Sequence, residues 1–233
     1  MDKPDIKKAA RQHLEMDAFF TGDFTVKSQN SPAEGPANSE ELEQVAGQVR
    51  KCRLCELGDQ RTNAVPGQGN PNAQLMFIGE APGADEDAKG LAFVGRAGQL
   101  LTKIVNAMGL DRGDVFIGNI IKCRPPGNRD PKPTEIISCL PYLKRQLEVI
   151  APDIIVALGA HAARTLLNNN KPIGQLRGRF HDYYTSDDAE PIKIMPTYHP
   201  AYLLRSYSPD NRRRVWEDMQ KVMAELDLEI PAK

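Results

Sequence analysis

The run "LMFIG" at residues 75–79 decides the fold class. It is short, apolar without alternation, and ends on a glycine that opens the polar stretch "GEAPGADED" (79–87), the pattern of a strand buried on both faces. Three more runs are of the same kind: "VFIGN" (115–119), "DIIVALG" (153–159) and "IKIMPT" (192–197). Between them lie helical patterns, "AGQLLTKIVNAMG" (97–109), "KPTEIISCLPYLKRQLEVI" (132–150) and "AHAARTLL" (160–167), and "DNRRRVWEDMQKVMAEL" (210–226) closes the series. Strand–helix alternation with near-continuous apolar strands predicts an α/β protein with a parallel sheet covered on both faces. Such sheets bind ligands beyond the carboxyl ends of their strands.

The segment after each strand is therefore the informative part. After the first comes "GEAPGADED", after the second Asn119 and then "KCRPPGN", and after the fourth "YHPAYLLR" (198–205). Three polar loops converge on one rim. "LGAH" (158–161), after the third strand, reads as a tight strand-to-helix turn with His161 in its first helical turn. Neither G-x-x-x-x-G-K-[ST] nor G-x-G-x-x-G occurs, which argues against a nucleotide cofactor.

The cysteines mark a second site. "KCRLC" (51–55) carries a chelating C-x-x-C pair, and the other two thiols, Cys123 and Cys139, complete a set of four with none left over. No secretory leader pattern opens the chain, so a reducing cytoplasm, and a metal in preference to disulfides, is the expectation. Four thiolates suit tetrahedral zinc or a four-iron cluster. Because 67 residues separate Cys55 from Cys123 and 15 separate Cys123 from Cys139, one knuckle plus two scattered ligands favours iron–sulfur over zinc.

Composition bounds the rest. The 233 residues are 40% hydrophobic with a formal charge of −1, enough for one well-buried domain and no global sign of nucleic acid. Residues 1–45 hold five Lys/Arg against nine Asp/Glu, leaving 25 against 22 for 46–233, so the body is mildly basic and the leader acidic. "KSQNSPAEGPANSEE" (27–41) reads as a linker. Ahead of it Ile6, Ala10, Leu14 and Met16 fall at roughly helical spacing, which fits a short helix docking on a protein partner or on the body, and equally a frayed helix without a role. The expected division is an extension at 1–45, a body at 46–228 and a tail at 229–233. No apolar run has membrane-spanning length, and a monomer is expected.

"GEAPGADED", "GLAFVGRAGQLL" (90–101), "GNIIKCRPPGNRDP" (118–131) and "HPAYLLR" (199–205), with the four cysteines around them, closely resemble the family 4 uracil-DNA glycosylases, the iron–sulfur branch of their superfamily. The resemblance covers about residues 46–226. It implies a three-layer α/β/α sandwich with a central four-stranded parallel sheet, excision of uracil from single- or double-stranded DNA, and a [4Fe–4S] cluster on Cys52, Cys55, Cys123 and Cys139.

By the same resemblance Phe93 stacks on the flipped base and Glu86 blocks the thymine methyl group, while Gly83 stands where the best-known branch carries tyrosine. The amide of Asn119 suits uracil, donating to O4 while accepting from N3–H. His199 would donate to O2 as charge develops there, helped by backbone N–H groups of the loop that begins at Gly79. The best-known branch has aspartate where this chain has Ala81, so Glu80 and Asp87 become the candidates for positioning water. Leu203 resembles the wedge that fills the vacated stack, and Arg124, Arg177, Arg179 and Arg205 are candidate phosphate contacts. Two rivals are a uracil-binding protein that crosslinks to its product and a non-catalytic DNA-binding module. The first is disfavoured because "RPPGNRDP" lacks the basic, histidine-ending insertion of that branch.

Overall fold

The computed structural model describes residues 36–185, 190–206 and 208–229. Six strands form one sheet: β1 (Gln68–Gly69), β2 (Leu75–Gly79), β3 (Phe116–Asn119), β4 (Ile154–Leu158), β5 (His181–Tyr183) and β6 (Ile192–Thr197), in the order β1-β3-β2-β4-β6-β5. The four inner strands are parallel, as the apolar runs predict, and β1 and β5 add short antiparallel edges. Two- and three-residue edges are too short to leave a periodic signal in sequence.

Side-chain alternation divides the sheet's neighbours between two faces. Leu75 and Phe77 of β2, Ile117 of β3 and Val156 of β4 pack against α4 (Arg96–Ala107) and α9 (Pro209–Glu225). Met76, Ile78, Phe116, Ile155 and Ile194 face the other way, onto α5 (Pro133–Ile150), α6 (Ala160–Leu167) and α7 (Ile173–Leu176). The layers are those of an α/β/α sandwich.

The expected linker and the boundary at residue 46 need correcting. Pro36–Lys51 is a continuous helix, α1, whose Val45 and Val49 are buried against Tyr142 of α5. Arg145 of α5 pairs with Glu41 at 2.6 Å, and Asn38 donates to Asn72 at 2.7 Å. Val45 and Val49 are four apart and share one helical face, so the polar residues of 36–41 form the solvated first turns of a docked helix. The body therefore takes in residues 36–45 as well, and α1 delivers Cys52 directly after its last residue, with the short helix α2 (Leu57–Gln60) just beyond Cys55. The expected partner-docking helix at 6–20 lies outside the described residues, as does nearly all of the 229–233 tail.

Candidate active site

All four parallel strands end on the same rim, and a cavity of about 740 Å³ opens there. Its floor is set by β2 and β3. Gly79 pairs with Asn119, and the pairing continues as Ile120 and Ile121 donate to the carbonyls of Gly79 and Glu80. Gly79 has no room for a side chain: a Cβ there would lie 2.5 Å from Asn119 Oδ1 and 2.6 Å from Phe93 Cζ. The amide and the aromatic ring thus meet over a bare Cα. Asn119 lines the cavity and is buried, and its Oδ1, packed over Gly79, is an acceptor with no hydrogen-bond partner.

Phe93 is held by strain and by clearance. Its φ of 50° is unusual for a bulky side chain, and its carbonyl oxygen would sit 1.9 Å from a Cβ at Gly98, so the "FVGRAG" turn depends on that glycine. Glu86 fixes the turn from the other side. It lies in α3 (Ala84–Lys89), and one carboxylate oxygen accepts from Val94 N and Gly95 N, both at 2.8 Å, while the other accepts from Gly83 N at 3.1 Å. The loop after β2 and the Phe93 loop are thereby clamped together, with Glu86 as a fixed wall of the cavity. The clamp also takes up the Gly83 N–H, which removes one of the backbone donors expected to face the base.

His199 caps α8 (Pro200–Arg205), its Nδ1 accepting from the backbone N–H of Ala201 at 3.0 Å. The neutral ring therefore carries its proton on Nε2. Burial first, then the Arg205 guanidinium, depress its pKa to about 4 against a smaller opposing effect of Glu86, so the imidazole is neutral at physiological pH. Its ring lies 5.7 Å from that of Phe93.

Glu80, one residue beyond β2, also lines the cavity, and burial raises its pKa. His161 and Asp130 stand beside it on the same wall. Reading "LGAH" as a turn located the helix start but missed that His161 faces the site. Lys122 was likewise overlooked: it is fully buried, and its Nζ donates to the Asn119 carbonyl at 2.9 Å and to Gln146 at 2.7 Å. A lysine inside the apolar run "NIIKC" was the available signal.

Three expectations are corrected. The Asp87 carboxylate accepts from Thr62 N at 2.9 Å and lies outside the cavity, because one helical step turns it away from Glu86. Leu203 is 1% exposed within the core, since α8 buries Pro200 and Leu203 and turns Tyr202 and Arg205 outward; no wedge projects from it. Arg177 grips the buried Asp218 through two hydrogen bonds of 3.0 and 2.7 Å, which leaves it unavailable to phosphate. Arg124 donates to Asn128 at 2.8 Å in the turn after β3 and does not itself line the cavity, although its neighbours Pro125 and Asn128 do. Arg179 is exposed and does not line the cavity, whereas the exposed Arg205 does.

The four thiols are free and lie within electrostatic reach of one another. Cys123 interacts electrostatically with Cys52 and Cys55, and Cys139 with Cys52 and Cys123. Arg61 donates to Cys123 Sγ at 2.9 Å, Lys122 N to Cys139 Sγ at 3.2 Å, and the Tyr142 hydroxyl is hydrogen-bonded with Cys52. Burial raises the Cys123 and Cys139 pKa values, the latter to about 11, and these donors act against it, favouring the thiolate form in which sulfur binds a metal cofactor.

An α/β/α sandwich with these loops defines a known class: the chain belongs to the uracil DNA glycosylase superfamily, whose family model matches residues 66–220. Within it the chain falls in the type-4 branch. A type-4 uracil-DNA glycosylase of Saccharolobus solfataricus is 50% identical over 78% of this chain and 84% of its own length. Those of Thermotoga maritima and Archaeoglobus fulgidus are 45% and 43% identical, each over 92% of its own length and 77% and 78% of this chain.

Proposed function

We propose that the protein is a uracil-DNA glycosylase that flips uracil out of single- or double-stranded DNA and hydrolyses its N-glycosidic bond, leaving an abasic site. The observation that carries this reading is the orphaned Asn119 amide oxygen, buried beside the Phe93 ring. A flat base stacked on Phe93 would present N3–H to that oxygen and O4 to the amide nitrogen, so uracil satisfies both groups and cytosine neither. Unstacking costs a few kcal/mol, offset by these contacts. The clamped Glu86 wall limits room at C5, which disfavours thymine.

As the C1′–N1 bond breaks, its electron pair passes to uracil and negative charge develops on O2. His199 donates there from Nε2, and a neutral, preorganised donor needs no change of protonation as it acts. Glu80 holds the water that attacks C1′. Arg205 contacts backbone phosphate at the cavity mouth.

Cys52, Cys55, Cys123 and Cys139 would hold a [4Fe–4S] cluster, with zinc the less favoured occupant. Bound there, the cluster cross-links the end of α1, the segment after β3 and α5, and the hydrolysis itself requires no redox step. Incubation with single- and double-stranded uracil DNA followed by alkali tests the activity. Strand cleavage supports it; a covalent protein–DNA adduct, or neither product, contradicts it.

A further inference from the structure

We infer that His161 and Asp130 extend Glu80 into a carboxylate–imidazole–carboxylate chain that fixes Glu80 against the attacking water and leads its proton out to solvent. The inference rests on the reading of Glu80 as the water-positioning carboxylate and adds two positioning residues to it.

The three side chains come from three loops. Glu80 follows β2, Asp130 follows the 3₁₀ turn Pro126–Asn128 beyond β3, and His161 is the second residue of α6. Gly159, between β4 and α6, has a φ of 91°, and a Cβ there would lie 3.0 Å from His199 Cβ. That close turn starts α6 over the cavity, and because β4 pairs with β2, His161 arrives beside Glu80.

The two ring nitrogens face different carboxylates. Nδ1 is 4.0 Å from Glu80 Oε1 and Nε2 is 3.6 Å from Asp130 Oδ2. Each gap is long for a direct hydrogen bond and short enough for a small side-chain rotation to close. Exposure rises along the chain, from 27% for the Glu80 side chain through 43% for His161 to 76% for Asp130, so the path runs outward. Competing partners are occupied elsewhere. Arg129 is committed to Glu135 at 2.6 and 2.9 Å and meets Asp130 only at its backbone carbonyl, while Glu86 is held by its three backbone donors.

In the reaction, the water oxygen bonds to C1′ as the C1′–N1 pair leaves with uracil. The water's proton passes to Glu80. Imidazole takes that proton at Nδ1 and releases the one on Nε2 to Asp130 and bulk water, and the uracil anion is protonated after release. Burial raises the Glu80 pKa and Asp130 raises it further, while His161 lowers it only when both its ring nitrogens are protonated, a form distinct from the one that accepts the proton. Glu80 must be ionised to accept a proton, so these groups set the acid limb of the rate.

The test is single-turnover excision by the full-length protein from pH 4.5 to 9, with uracil-DNA affinity measured in parallel. Glu80→Gln should slow excision by about 10²-fold or more and remove the acid limb. His161→Gln should slow it by about tenfold and move the limb to higher pH, while Asp130→Asn moves it lower, both at unchanged affinity. If Glu80→Gln is slow but His161→Gln reproduces the wild-type rate and limb, or both outer variants shift the limb the same way, the chain is overturned and Glu80 stands. Wild-type excision by Glu80→Gln would remove the water-positioning reading, and the chain with it.

Discussion

Gly79→Ala should damage excision far more than folding. The new Cβ would lie 2.5 Å from Asn119 Oδ1 and 2.6 Å from Phe93 Cζ, whereas ordinary contact begins at 3.4 Å. Gly79 itself cannot yield easily, because it pairs with Asn119 in the sheet and its carbonyl accepts from Ile120 at 2.9 Å. The amide must therefore retreat by about 0.9 Å and the ring by about 0.8 Å, and displacement of reacting groups by about 1 Å costs on the order of 10²-fold in rate. Overpacking of this kind costs about 1–3 kcal/mol of stability, or about 2–12 °C in Tm for a chain of this size. Single-turnover excision and thermal unfolding would be measured beside Gly113→Ala, where a Cβ meets open space and no effect is expected. A Gly79→Ala protein that excises uracil at the wild-type rate would refute the account of the pocket floor.

His199 has a pKa of about 4 when folded against 6.5 when free, so the unfolded chain binds its proton first and stability falls as pH drops from 6.5 to 4. Denaturant unfolding across that window should show His199→Gln losing less stability than wild type, by on the order of 3 kcal/mol. Arg177→Ala should cost about 3–5 kcal/mol by leaving Asp218 buried without its cation, yet leave the salt dependence of DNA binding unchanged. Arg205→Ala should do the reverse, reducing the salt slope by about one with little effect on stability. Anaerobically purified protein should be brown with about four irons per chain; colourless protein with stoichiometric zinc would contradict the cluster.

The parallel centre of the sheet was legible because β2, β3, β4 and β6 are apolar on both faces, a pattern that needs no tertiary context. The edges β1 and β5 and helix α1 were not, since two or three residues carry no period and α1 begins in a Pro- and Asn-containing stretch that resembles a linker. In the site, strand ends were the legible part: Gly79, Asn119 and His199 lie on one rim because parallel strands share it. Orientation within short helices was hidden. Whether Glu86 or Asp87 faces the cavity, and whether Leu203 or Tyr202 faces outward, depends on entry angles set by the clamp at Glu86 and the cap at His199. The pairing of Arg177 with Asp218, 41 residues apart, was equally invisible in the chain itself.

The base-reading role of Asn119 is tested most directly by Asn119→Asp, with single-turnover excision measured from matched oligonucleotides bearing U or C at one position. The carboxylate replaces the donor facing O4 with a second acceptor, a mismatch costing about 1–3 kcal/mol, or one to two orders of magnitude on uracil, while a carboxylate can accept from the cytosine amino group. The account predicts sharply slower uracil excision and a raised ratio of cytosine to uracil cleavage. An unchanged ratio in a folded variant would show that Asn119 does not read the base.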